Sequence, residues 1–336
     1  MTRPRPFRLR FPLPLPLACP FPFRFARTAA CVATLVSAIV IPGLTSAQAP
    51  PPDLAKRAAA PAVDANPLAA LAEAERAFAR ETATVGIRAG FLAWFARDSV
   101  GFRPALGNAW DQLTARPAPP NPLAAQLEWE PRSGDVAASG ELGWLTGPST
   151  FTAPDGLKHY GNYLSIWTRR LEGWRVFIDV GADAPSPVDF PAGFVRMPAG
   201  GGRYVAPAAP GPAAPADPVL PLMQAERTAN ADAGFLRALA GEARYHRPGS
   251  LPLVGRAAIE ADPDARAAAS RRQTSLATAQ ARSADLGYSY GRYETRMAGA
   301  APAATAAPSG HYIRVWRRNA SGIWQIVAQV DQPDGR

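Results

Sequence analysis

Cysteine is nearly absent from this chain, and its two copies, Cys19 and Cys31, both fall within the first 47 residues. Downstream of them no disulfide, thiolate metal site or cysteine nucleophile can form, so the core alone must hold the fold. Histidine is almost as scarce. His159, His246 and His311 are scattered without metal-ligand spacing, and the pattern calls for no metal. No glycine-rich phosphate loop is present: the "AGGGR" at Ala199–Arg203 lacks a strand before it and a helix after it. A nucleophile elbow is missing too. Nothing in the sequence asks for a cofactor. The single long apolar run, Ala29 to Leu44, falls short of the roughly 20 residues a membrane span needs.

That run belongs to a leader. Arg3, Arg5, Arg8, Arg10, Arg24 and Arg27 precede it without any acid, and the small residues "TSAQA" follow it. Basic region, apolar core and small-residue end are the order of a secretory signal peptide, residues 1–47, cleaved near Ala47. The expectation is an exported, periplasmic protein with no membrane attachment after cleavage. The six leader arginines account for most of the net +9, leaving +3 from Gln48 onward. So mild a charge gives no reason to expect a nucleic-acid partner.

What is present is a repeat. "GNYLSIWTRRLEGW" at Gly161–Trp174 returns as "GHYIRVWRRNASGIW" at Gly310–Trp324. "AER" at Ala74–Arg76 returns at Ala225–Arg227, "AGFLAWFARDSVGFRP" at Ala89–Pro104 as "AGFLRALAGEARYHRP" at Ala233–Pro248, and "ELGWLTG" at Glu141–Gly147 as "DLGYSYG" at Asp285–Gly291. Four matches in the same order, at offsets of 144 to 151 residues, predict a duplicated domain. Residues 48–66 read as a flexible Ala/Pro-rich segment, 67–183 as the first domain, 184–217 as a Pro/Gly-rich linker and 218–332 as the second domain.

Each copy reads helices first and strands afterwards. Asn66-Pro67 and Asp217-Pro218 are helix starts, with a polar cap followed by proline in the first turn. Leu68, Leu71, Glu75 and Phe78 share one helical face. "IRAGFLAWFARD" predicts a second helix, and Gly107–Leu113 a short third. Strands are expected at Leu123–Pro131, Val136–Phe151, Leu157–Arg170 and Trp174–Gly181, with tight turns at Ser133 and Glu172. Helices followed by a meander indicate an α+β fold. In the second copy "RMAGAAPAATAAPSG", Arg296–Gly310, reads as a flap at a hairpin tip.

The signatures "AERAFA", Asp98-Ser99-Val100-Gly101-Phe102-Arg103-Pro104, "GELGWLTG" and "GNYLSIWTRRLEGWRVFIDVG" resemble the nuclear transport factor 2-like superfamily, and within it the SnoaL-like branch. The resemblance covers both copies. It implies two tandem cone-shaped domains, each a curved antiparallel sheet around N-terminal helices, with a pocket at the open end. Such domains pair sheet to sheet, so an internal pseudo-dimer or a homodimer is expected.

Family enzymes use a pocket carboxylate as base, and on that analogy Asp98 and Asp179 are the catalytic candidates. Two carboxylates in one apolar pocket would raise one pKa and make a general base. Trp94, Trp144 and Trp167 are candidate apolar walls. Tyr163, His159 and Arg103 are candidate polar contacts. The second copy has Glu242 and Gln329 at the matching positions, so it loses the pair; its Arg244, Arg247, Arg292 and Arg314 read as a solvated face. Three readings follow: a binder of a small apolar molecule in the first domain with the second as structural partner, an isomerase or cyclase using Asp98, and a purely structural pseudo-dimer.

Overall fold

The computed structural model describes residues 66–198, 219–231, 234–295 and 309–335. The predicted signal peptide, the Ala/Pro-rich segment up to residue 65, residues 199–218 of the linker region and residues 296–308 of the predicted flap lie outside the described residues.

In the first half, α1 (Pro67–Val85) and α2 (Ile87–Trp94) lead into β1 (Phe95–Gly101) and β2 (Gly107–Asn108). Then come α3 (Ala109–Ala115), β3 (Gln126–Trp129), β4 (Ser133–Val136), β5 (Leu142–Thr152), β6 (Lys158–Arg170), β7 (Gly173–Ala184) and β8 (Val195–Arg196). The second half runs α4 (Leu220–Ala229), α5 (Gly234–Ala238), β9 (Leu239–His246) and β10 (Leu253–Val254). It continues with α6 (Arg256–Ala261), α7 (Pro263–Ala269), β11 (Arg272–Gln280), β12 (Leu286–Glu294), β13 (Ser309–Arg318) and β14 (Trp324–Pro333). The arrangement is α+β, helices with two mixed sheets. The sheets run in the orders β2-β1-β7-β6-β5-β4-β8, with β3 also on β5, and β10-β9-β14-β13-β12-β11.

Local sequence explains the helix starts and stops. The Asn66 side chain accepts from the Ala69 N–H at 3.1 Å, and Pro67 follows it, so α1 begins with a filled cap. Gly86, at φ 89°, ends it; a Cβ there would sit 2.4 Å from the Pro122 carbonyl oxygen, so only glycine fits. Leu71, Glu75, Phe78 and Thr82 form the buried stripe of α1.

Two expectations need correcting. The segment after Trp94 leaves the helix and becomes β1, which pairs in parallel with β7, Phe95 opposite Val176 and Val100 opposite Ile178; β9 pairs in parallel with β14 in the same way. The sheets are therefore mixed rather than antiparallel. Extending here supplies partners for the free backbone groups along the β7 edge, which a longer helix would leave unpaired. The predicted turn at Ser133 is also a strand: Ser133–Val136 pairs with β5, and the turn falls at Gly140, φ 78°.

The central strands bury both faces. One face of β5–β7 carries Leu145, Trp167 and Val176 against Leu71 and Phe78 of α1. The other carries Leu142, Trp144, Leu164, Ile166, Ile178 and Val180, packed with Leu286, Ile313, Val315, Ala328 and Val330 of the second sheet. Polar groups frame this shared core. Ser139 and Ser283 hydrogen-bond each other through their hydroxyls at 2.8 Å, and each backbone N–H donates to the other's Oγ at 3.1 Å. Around them the Ala138 N–H donates to Asp285 Oδ2 (3.1 Å) and the Arg282 N–H to Glu141 Oε1 (2.7 Å). Buried Asp135 pairs with Arg196 and Arg317, and Asn162 meets His246.

Candidate ligand site in the first half

A cavity of about 310 Å³ opens beside the end of β7. Phe91, Phe95, Phe102 and Leu113 give it an apolar wall; Arg103, Gln112, Arg116, Asp179, Asp183 and Gln332 give it polar groups. Several bonds fix that frame. Arg88 donates to the carbonyls of Leu113, Thr114 and Arg116, each at 3.1 Å, closing the exposed C-terminal carbonyls of α3. Gln112 Nε2 donates to the Ala105 carbonyl at 2.8 Å and ties down the loop that carries Arg103. Asn108 caps α3 by accepting from the Asp111 N–H, and its Nδ2 donates to the Arg97 carbonyl on β1. Gln332 comes from the second sheet and donates to the Gly181 carbonyl at 2.6 Å, so the second half supplies part of the wall.

Behind Asp179 lies a buried carboxylate. Glu75 on α1 accepts from Trp129 Nε1 (2.7 Å), Ser165 Oγ (2.6 Å) and Trp167 Nε1 (2.9 Å). Burial pushes its pKa up despite these donors. Asp179 is pushed up to about 8, by burial first and by the nearby Glu75 charge second. At neutral pH it is largely a neutral acid facing the cavity. The Tyr163 ring is 6% exposed, and its hydroxyl is buried without a hydrogen-bond partner. Burial, with Glu75 and Asp179 nearby, raises its pKa far above that of an ordinary phenol.

The sequence candidates are dispersed. Asp179 and Arg103 line the cavity, and Tyr163 lies close behind it. Asp98 does not reach it: at an exposed position of β1 its side chain is 62% accessible, and its two oxygens accept from Arg170 Nη2, at 2.8 and 2.9 Å. The expected Asp98–Asp179 pair is therefore not formed, because β1 turns Asp98 outward. Trp144 faces the shared core between the sheets. Trp167 is buried under α1, and Trp94 packs on it at 5.9 Å while donating to Glu81 Oε2. His159 is exposed on β6, 6.1 Å from Phe151. Sequence reading placed Glu75 on an apolar face without a role; an acid on such a stripe, repeated at Glu226, was the available signal.

The second half also has a cavity, of about 330 Å³, lined by Arg247, Asp264, Arg271, Tyr293 and Asp331, and the two interiors differ in what lies deeper. Ser165 faces Asp179 across β6–β7, and Arg314 faces Gln329 across β13–β14. Arg314 is fully buried. It donates to Gln329 Oε1 (2.7 Å), Asn230 Oδ1 (2.7 Å), Glu226 Oε1 (3.2 Å) and Gln273. Arg244 is nearly buried too and Arg247 is mostly buried in its pair with Asp262, so the expected solvated face is corrected at these positions, while Arg292 is exposed, paired with Asp334. Among the described residues no cluster of His, Asp and Glu could hold a metal ion, and no helix is long and apolar enough to cross a membrane.

No family model and no curated protein matches the chain. Solved structures do match it. They include a nuclear transport factor 2-like protein of unknown function from Shewanella oneidensis MR-1, at 12% identity over 34% of this chain and 98% of that chain, TM-score 0.26. A nuclear transport factor 2-like superfamily protein from Salmonella enterica serovar Typhimurium matches at 12% identity over 37% of this chain and 94% of that chain, TM-score 0.28. A protein of a Streptomyces species, Aln2, matches at 22% identity over 36% of this chain and 94% of that chain, TM-score 0.28.

Proposed function

We propose that this is an exported, periplasmic protein of two tandem SnoaL-like, cone-shaped domains paired as an internal pseudo-dimer. In this reading the first domain binds a small, mostly apolar molecule and the second is its structural partner. One observation carries the reading: the first half has an open cavity walled by Phe91, Phe95 and Phe102 with Asp179 facing it, while the cavity of the second half is lined by Arg247, Asp264, Arg271 and Asp331, with Tyr293 its one aromatic residue. An apolar wall with a few convergent polar groups suits a small ligand. The reciprocal Ser139–Ser283 bonds support the pseudo-dimer, since a two-fold contact brings equivalent residues together. Thermal shift against a panel of small aromatic compounds tests it. Stabilisation that Phe102→Ala weakens supports the site, and stabilisation indifferent to that change removes it.

A second reading is favoured by the raised pKa of Asp179 beside the Tyr163 hydroxyl. An isomerase or cyclase would then work through Asp179, not Asp98, with activity rising as pH passes 8 and abolished in Asp179→Asn.

A further inference from the structure

The cavity has a chemical polarity that the apolar reading leaves unused. Its apolar wall is formed by Phe91, Phe95 and Phe102, while Arg103 and Arg116 are exposed on its lining. Neither guanidinium makes an ion pair or a side-chain hydrogen bond within the described residues, in contrast to Arg170 with Asp98, Arg247 with Asp262 and Arg271 with Asp331. The backbone that carries them is anchored: Arg88 donates to the Arg116 carbonyl at 3.1 Å, and Gln112 donates to the Ala105 carbonyl, two residues beyond Arg103, at 2.8 Å. Two exposed cations thus stand beside an apolar pocket, on anchored backbone, with no ion pair among the described residues.

The acids nearby do not cancel them. Asp183 lines the cavity and is exposed, one negative charge against two positive ones. Asp179 carries little charge at neutral pH, and as a neutral acid it offers a donor rather than repelling an anion. Glu75 lies behind Asp179, with its charge spread over three donors. A cavity of about 310 Å³ suits a molecule of one ring with a short substituent.

We propose that the ligand is a small aromatic carboxylate, its ring against the phenylalanine wall and its carboxylate held by Arg103 and Arg116. This rests on the reading of the cavity as a ligand site. Guanidinium–carboxylate pairing is charge-assisted and directional, and at a half-open mouth it remains sensitive to salt.

Calorimetric titration of the leader-free protein with benzoate and with benzyl alcohol, near pH 7 and low salt, tests both levels. The expected result is benzoate binding about tenfold or more tighter than the alcohol. Raised salt should erode that difference. The double variant Arg103→Gln/Arg116→Gln, both at exposed positions, should abolish the preference, so that the ratio of the two affinities falls to about one. Equal binding of the two compounds, or a preference surviving in the double variant, overturns the carboxylate inference and leaves the cavity reading standing. Binding of neither compound, in protein whose folding is verified by its unfolding transition, overturns both.

Discussion

Ser139 and Ser283 occupy the same position in the two halves of the chain and bind each other reciprocally, hydroxyl to hydroxyl and each N–H to the other's Oγ. The relationship ties the "ASGELGW" and "RSADLGY" turns across the shared core. It makes the interface part of the fold rather than a loose contact between modules. Replacing both serines with alanine strands two part-buried N–H groups, at a cost of about 1–3 kcal/mol. Chemical denaturation should show that loss within a single transition for both halves, because Leu164, Ile166, Ile313 and Val315 share one core. Two separated transitions in the unmodified protein would contradict a common core.

Asp179 makes stability depend on pH with a defined sign. Its folded pKa, about 8, lies above the ordinary 3.8. Between those values the unfolded chain has lost the proton that the folded one keeps, so stability falls as pH rises from about 4 to about 8. The cumulative effect is on the order of a few kcal/mol. Asp179→Asn should flatten this slope and raise the melting temperature at pH 8. Glu75→Gln, which removes the neighbouring charge, should move the Asp179 titration to lower pH, read by carboxyl NMR.

Arg314 is the opposite case, a buried cation whose partners are all supplied. Arg314→Met leaves Glu226 facing Tyr312 and Ser289 without its guanidinium. A loss of about 3–5 kcal/mol is expected from breaking one side of such a pair. A change below about 1 kcal/mol in the unfolding free energy would show that the network contributes little.

Asp98→Asn should be nearly silent. Its ion pair with Arg170 is exposed, a class worth less than about 1 kcal/mol. Benzoate affinity should not change, since Asp98 does not line the cavity. A marked loss of affinity would return Asp98 to the site.

Much of the fold was legible because the strands carry strong local signals. Trp174, Val176 and Ile178 alternate along β7, and the turn glycines Gly140 and Gly173 stand at positive φ. β1 was not legible. "FARDSVG" continues the helical pattern of "IRAGFLAW", and only the vacant edge of β7, a tertiary feature, draws it into a strand. The family resemblance put Asp98 in the site, and the strand turns it outward to Arg170. Trp144 misled for another reason: both faces of β5 are buried, so hydrophobicity cannot say which faces a cavity and which faces the second sheet. Asp179 and Arg103 were found from their motifs. Arg116, Gln112 and Gln332 were not, because their place on the cavity comes from α3 and from the far end of the chain.

Everything proposed for ligand binding depends on one cavity, in the first half, being the site. Co-crystallisation with 4-bromobenzoate, locating bromine by its anomalous signal, tests this most directly. The expected result is a peak against Phe91 and Phe102, with the carboxylate toward Arg103 and Arg116, and none beside Arg314. A peak only in the second half, or none at saturating ligand, would contradict it.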